Sequence, residues 1–134
     1  MNEGPIEVHA MATRIACQPM TSRHLKALGD SVDQASCLSA RSQWDRKAAA
    51  HAEIFNLLAD VVDDPVLAPI LSGGTGCLPD LMTVVGPAAD GMIASSRRLL
   101  AHLGAGAADE AALEMEKHLR GLHYMWRLAR NSSE

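Results

Sequence analysis

Aromatic side chains are nearly missing from this sequence: Phe, Trp and Tyr together make up 3% of its 134 residues. A core without them has to be assembled from Ala, Leu, Val, Ile and Met, within a hydrophobic content of 48%. That composition favours close-packed helices, because strands draw on β-branched and aromatic side chains. No segment has a convincing strand pattern, and no internal repeat or low-complexity stretch is visible. Basic runs are also missing. None exceeds Arg97-Arg98, and the net charge is −4. A dedicated nucleic-acid surface carries a basic face, so direct nucleic-acid binding by this chain is not expected.

Cys17, Cys37 and Cys77 are the only cysteines, and they form no CxxC or other metal spacing. An odd, scattered set reads as reduced thiols in a cytoplasmic protein. The opening MNEGPIEVHA carries Glu3 and Glu7 and no apolar segment of the kind that directs secretion. No stretch approaches the roughly 18 apolar residues of a membrane span. The chain therefore reads as cytoplasmic, without membrane contact. Catalytic motifs are lacking too. There is no ExxH pair for a di-iron site, no HExxH, no phosphate-cradling loop and no nucleophile elbow. The glycines of GGTG at Gly73 to Gly76 are not followed by Lys-Ser/Thr and read as a turn. The expectation is a protein that is not an enzyme and has no cofactor.

What the sequence does contain is helical periodicity, in a length that fits a single domain over 1–134. Pro5 suits the first turn of a helix that runs to Cys17, and Pro19 ends it. Thr21 is placed to cap a second helix with Leu25, Leu28, Val32 and Ala35 on one face. A third helix, from about Ser42 to Val62, carries two adjacent stripes: Ala50, Ile54, Leu57 and Val61 beside His51, Phe55, Leu58 and Val62. Two stripes imply a broad buried face, central to the fold. Asp64 is placed to cap a short helix opened by Pro65, and Ser72-Gly73-Gly74 breaks the chain. A short helix over Leu78 to Val85 puts Leu78, Leu81, Met82 and Val85 inward. From Ala88 to Leu103, Met92, Ser96, Leu99 and Leu103 share a face, closed by Gly104 and Gly106. Asp109 is then placed to cap the last helix, whose seam is Ala112, Met115, Leu119, Leu122, Trp126 and Ala129. An all-α antiparallel bundle of about six to seven helices follows.

Six histidines remain as candidate functional groups. Most are expected at the surface. His51 and His118 share faces with Phe55 and Leu58, and with Ala111, Met115 and Leu122, and so point inward. They are either two core histidines satisfied by neighbouring groups, or the polar lining of a cavity that binds an anion or a metal.

Three stretches bring in a family. HAEIFNLLADVVDDPVL at His51 to Leu67 is a helix that runs into an acidic-proline turn. SRRLLAHLGAGAADEAALEMEKHL at Ser96 to Leu119 is a helix, a glycine turn and an Ala-rich helix ending in His-Leu. IEVHAMATRIACQPMTSRHLKAL at Ile6 to Leu28 is an opening helix followed by a Thr-capped one. Together they resemble the FCD domain, the C-terminal effector domain of FadR-type regulators in the GntR family. The resemblance covers about Pro5 to Arg130.

It implies a helical bundle that dimerises and binds a small effector, often a carboxylate, in a central cavity. Many members hold a divalent metal there. The four family ligand positions fall on His51, Phe55, Ser96 and His118, of which only His118 keeps the family's residue. The resemblance then implies a degraded metal site on His51 and His118. What remains is a pocket of His51, Phe55, Ser96 and His118 for an organic acid or acyl-type effector. Few residues precede the first helix, so the expectation is a sensing and dimerising domain without the family's winged helix-turn-helix. It would act as a homodimer or by pairing with a full-length regulator. The alternative is a decayed interaction module that dimerises without sensing a ligand.

Overall fold

The computed structural model describes residues 3–38, 41–73 and 91–132, and only the backbone at 3–5, 41, 73, 126 and 129–132. Every regular element among the described residues is helical: α1 (Glu3–Cys17), α2 (Ser22–Cys37), a 3-10 turn (Arg41–Gln43), α3 (Trp44–Val62), α4 (Leu67–Gly73), α5 (Gly91–Gly104) and α6 (Ala108–Ser132). The expected helix over Leu78 to Val85 lies outside the described residues, as do Gly74 to Gly76 and the side chains of Trp126 and Ala129.

Local chemistry sets the helix ends. α1 starts two residues ahead of Pro5, which a first turn tolerates because its amides have no intrahelical acceptor. Thr21 caps α2 as expected: its Oγ1 accepts from the His24 amide at 3.3 Å. His24 Nδ1 returns the bond by accepting from the Thr21 amide at 3.1 Å, so a histidine fills the place usually taken by Glu or Gln. α3 ends on Asp63, which takes the left-handed conformation with φ 49°. The Asp64 carboxylate then accepts from the amides of Val66 at 2.8 Å and Leu67 at 2.9 Å, starting α4 past Pro65. α4 runs through Gly73, two residues into the expected break. Between α5 and α6 the chain reverses on Gly106, whose φ of 71° favours glycine. α6 begins at Ala108, so Asp109 lies inside the first turn rather than at the cap. There its carboxylate suits the helix dipole and pairs with Arg14 of α1 at 3.0 Å.

The helices pack in a closed circuit: α1 on α6, α6 on α5, α5 on α2, α2 on α3, and α3 back on α1, with α4 against α3 and α1. Both stripes of α3 are buried except for the half-buried Leu57 and Val62. The core is aliphatic, with Ile6, Leu28, Leu58, Leu71, Met115 and Leu119 almost fully enclosed. Phe55, the sole phenylalanine of the chain, lies among them at 2% exposure.

Candidate functional site

An aliphatic core makes its polar members conspicuous. α3 places Lys47, His51 and Phe55 one turn apart on a buried face. α6 places Glu114 and His118 one turn apart, α5 contributes Ser95 and Ser96, and α1 contributes His9 and Thr13, all buried. His9 is a correction to the expectation of surface histidines: it is 3% exposed. Ile6, Ala10, Thr13 and Cys17 are buried with it, so α1 buries the face on which His9 sits.

Phe55 stands between two imidazoles. Its ring centroid is 6.1 Å from that of His9, edge to face, and 6.0 Å from that of His118. His118 is held by a chain of polar groups. Arg98 Nε donates to Glu114 Oε1 at 2.7 Å, Ser95 Oγ donates to Glu114 Oε2 at 3.1 Å, and Ser95 Oγ lies 3.0 Å from His118 Nδ1. A hydroxyl has one proton. Since Ser95 gives it to Glu114, His118 Nδ1 carries its own proton and donates it to Ser95. The Nε2 of the neutral ring then keeps a lone pair.

Burial pushes the Glu114 carboxyl up, but the bonds from Arg98 and Ser95 outweigh it and hold the group below the ordinary carboxylate range. The His118 imidazole falls to about 4, first because it is buried; Glu114 opposes that shift and Arg98 adds to it. Both residues therefore keep the protonation states that the chain of bonds requires.

His51 differs from His118. It is 1% exposed, and neither ring nitrogen has a hydrogen-bond partner. Its pKa falls to about 4 through burial, then through the nearby charges of His118 and Lys47. A neutral imidazole still carries one donor and one acceptor. Buried groups of that kind are nearly always bonded, and an orphan costs roughly 1–3 kcal/mol.

Of the four residues expected to line a pocket, the structure brings Phe55 against His118 and sets His51 within electrostatic reach of His118. Ser96 is buried on α5, but its neighbour Ser95 makes the bond to His118. The sequence reading missed Ser95, Arg98, Glu114 and Lys47. Two of them were visible as residues one turn before a histidine: Glu114 before His118 and Lys47 before His51.

The polar chain also reaches the outside. Met92, Ser95, Arg98, Glu114, His118 and Leu122 help line a cleft of about 310 Å³ between α5 and α6. A metal of the kind the resemblance implies does not fit the residues present. Phe55 offers only a hydrocarbon edge and Ser96 only a hydroxyl, which leaves His51 and the Nε2 of His118 as the sole imidazole donors at the four family positions. Among the described residues no three His, Cys, Asp or Glu side chains are grouped to hold an ion. No helix of the described residues is long and apolar enough to cross a membrane. The chain matches no protein-family model, no curated protein and no solved structure.

Proposed function

We propose that this chain is an effector-binding and dimerising domain of the FCD type, built as an antiparallel helical bundle and related to FadR-type regulators of the GntR family. The single observation that carries the reading is His51, a buried imidazole with both nitrogens unpartnered. A small organic acid or acyl compound with one polar end would complete its hydrogen bonding. The cleft along Ser95 brings solvent to one of the four residues, His118, and does not itself reach His51, Phe55 or Ser96. The acidic-proline turn after α3 and the glycine turn before α6 support the kinship.

The role is binding rather than catalysis. His51 and His118 are held neutral, and the Glu114 carboxylate beside His118 is engaged by Arg98 and Ser95. The domain would work in the cytoplasm as a homodimer, or paired with a full-length regulator whose DNA-binding half it modulates. The effector is bound by His51, Phe55, Ser96 and His118 without a divalent metal.

A thermal-shift screen over carboxylates and acyl compounds, with and without divalent metal, tests this. At least one compound is expected to raise the melting temperature, with no need for metal, and His51→Leu should abolish the rise. No stabilisation by any compound counts against sensing. One observation favours a second reading, a decayed module that dimerises without a ligand: Phe55 packs against both His9 and His118 where the family would place a metal-binding side chain. That reading gives a stable dimer and co-purification with a full-length regulator, but no ligand response.

A further inference from the structure

The chain of bonds that ends on His118 leaves one atom unused. His118 Nδ1 donates to Ser95, so Nε2 carries a lone pair, and no group of the protein donates to it. Unlike the two nitrogens of His51, Nε2 is not sealed in the core. The ring is 7% exposed, and it opens on the cleft of about 310 Å³ between α5 and α6, within the range of small-molecule sites. A largely enclosed acceptor that faces a cleft selects for a molecule that donates.

The rest of the cleft describes the molecule that brings the donor. Met92, Leu122 and Met125 give apolar walls. There is room beside them, because a Cβ built on Gly91 or Gly121 meets nothing within 4 Å. Among the described residues, the charged groups that line the cleft are Arg98, Glu114 and Lys117. Arg98 bonds Glu114 through Nε and is still 58% exposed, while Lys117 is exposed and makes no ion pair among the described residues. Two cations against one carboxylate favour a single anionic group at the rim. A plain carboxylate answers the rim, but it has only lone pairs to set against Nε2. A secondary amide next to that carboxylate supplies the missing N–H.

We propose that the α5/α6 cleft binds an N-acyl amino acid with an apolar side chain. Its amide N–H donates to His118 Nε2, its carboxylate meets Arg98 and Lys117, and its side chain rests on Met92, Leu122 and Met125. The site shares only His118 with the effector pocket proposed above and does not rest on that reading.

Calorimetric titration of the full chain with N-acetyl-leucine, with the His118 ring nitrogens followed by NMR, tests it. Saturable binding is expected, with Nε2 the ring nitrogen whose signal shifts most. O-acetyl-leucic acid keeps the shape but has an ester oxygen in place of the N–H. It should bind at least about tenfold more weakly, because it sets lone pair against lone pair. Lys117→Gln should weaken N-acetyl-leucine about threefold. Lys26→Gln, at an exposed lysine of α2 paired with Asp30, should leave it unchanged. Glu114→Gln should remove the preference for the amide over the ester. The new side chain turns its oxygen to Arg98 and its nitrogen to Ser95, so Ser95 passes its proton to His118 Nδ1 and Nε2 becomes an N–H. Equal affinity for amide and ester in the unaltered protein overturns the proposal, as does a response that never saturates or a preference that persists in Glu114→Gln. Binding that is lost in His51→Leu places the ligand in the effector pocket, which overturns the cleft and leaves that reading standing.

Discussion

His51 is where sequence, burial and chemistry disagree most. An apolar side chain at this position would suit the core, yet α3 buries an imidazole there without a partner. In free protein at neutral pH, His51→Leu is expected to stabilise the fold by about 1–2 kcal/mol, because it removes a buried orphan rather than a bonded group. Urea unfolding measures it. Acid should expose the same fact. His51 and His118 both have a folded pKa of about 4 against an ordinary value of 6.5. Between those values the unfolded chain takes up protons that the folded chain refuses. Stability is thus complete above about pH 6.5 and falls as the pH drops towards 4, by at most about 3 kcal/mol per histidine. The urea midpoint should fall between pH 7 and pH 4.5, and His51→Leu should fall less. A midpoint that is flat in both would mean the histidines are not buried and neutral.

At the scale of the element, the helices follow from the order of side chains, while their ends depend on single groups. Asp63 ends α3 in the left-handed region, where a Cβ meets the following carbonyl. Asp63→Gly should raise stability by up to about 1 kcal/mol, read as a higher urea midpoint. The stripes of α3, the face of α5 and the Thr21 cap were all legible in the sequence, because helical period and capping chemistry are local. What was not legible came from neighbours. One residue along a helix turns a side chain by about 100°. Whether Ser95 or Ser96 meets His118 is therefore set by how α5 rests on α6, and the amino-acid order does not carry that. His9 was missed for a related reason. Its face on α1 reads as weakly apolar, and its burial follows from α1 being covered by α6, α3 and α4 at once.

For the whole molecule, the scarcity of aromatics concentrates packing in one place. Phe55 is the sole phenylalanine, and it joins α3 to His9 of α1 and His118 of α6. Phe55→Ala should cost about 3–5 kcal/mol, a large share of the 5–15 kcal/mol that holds a typical domain. Thermal or urea unfolding gives the value, and a loss under about 1 kcal/mol would mean that the circuit of helices does not close on this ring.

The chain of bonds from Arg98 to His118 has one more consequence. A guanidinium more than half open to solvent fixes the charge of Glu114, Glu114 claims the Ser95 proton, and Ser95 then accepts from His118 Nδ1. The ring is thereby locked in one tautomer. Whether His118 Nε2 faces a visiting molecule as a giver or a receiver of protons is decided three hydrogen bonds away, by an arginine at the mouth of the same cleft.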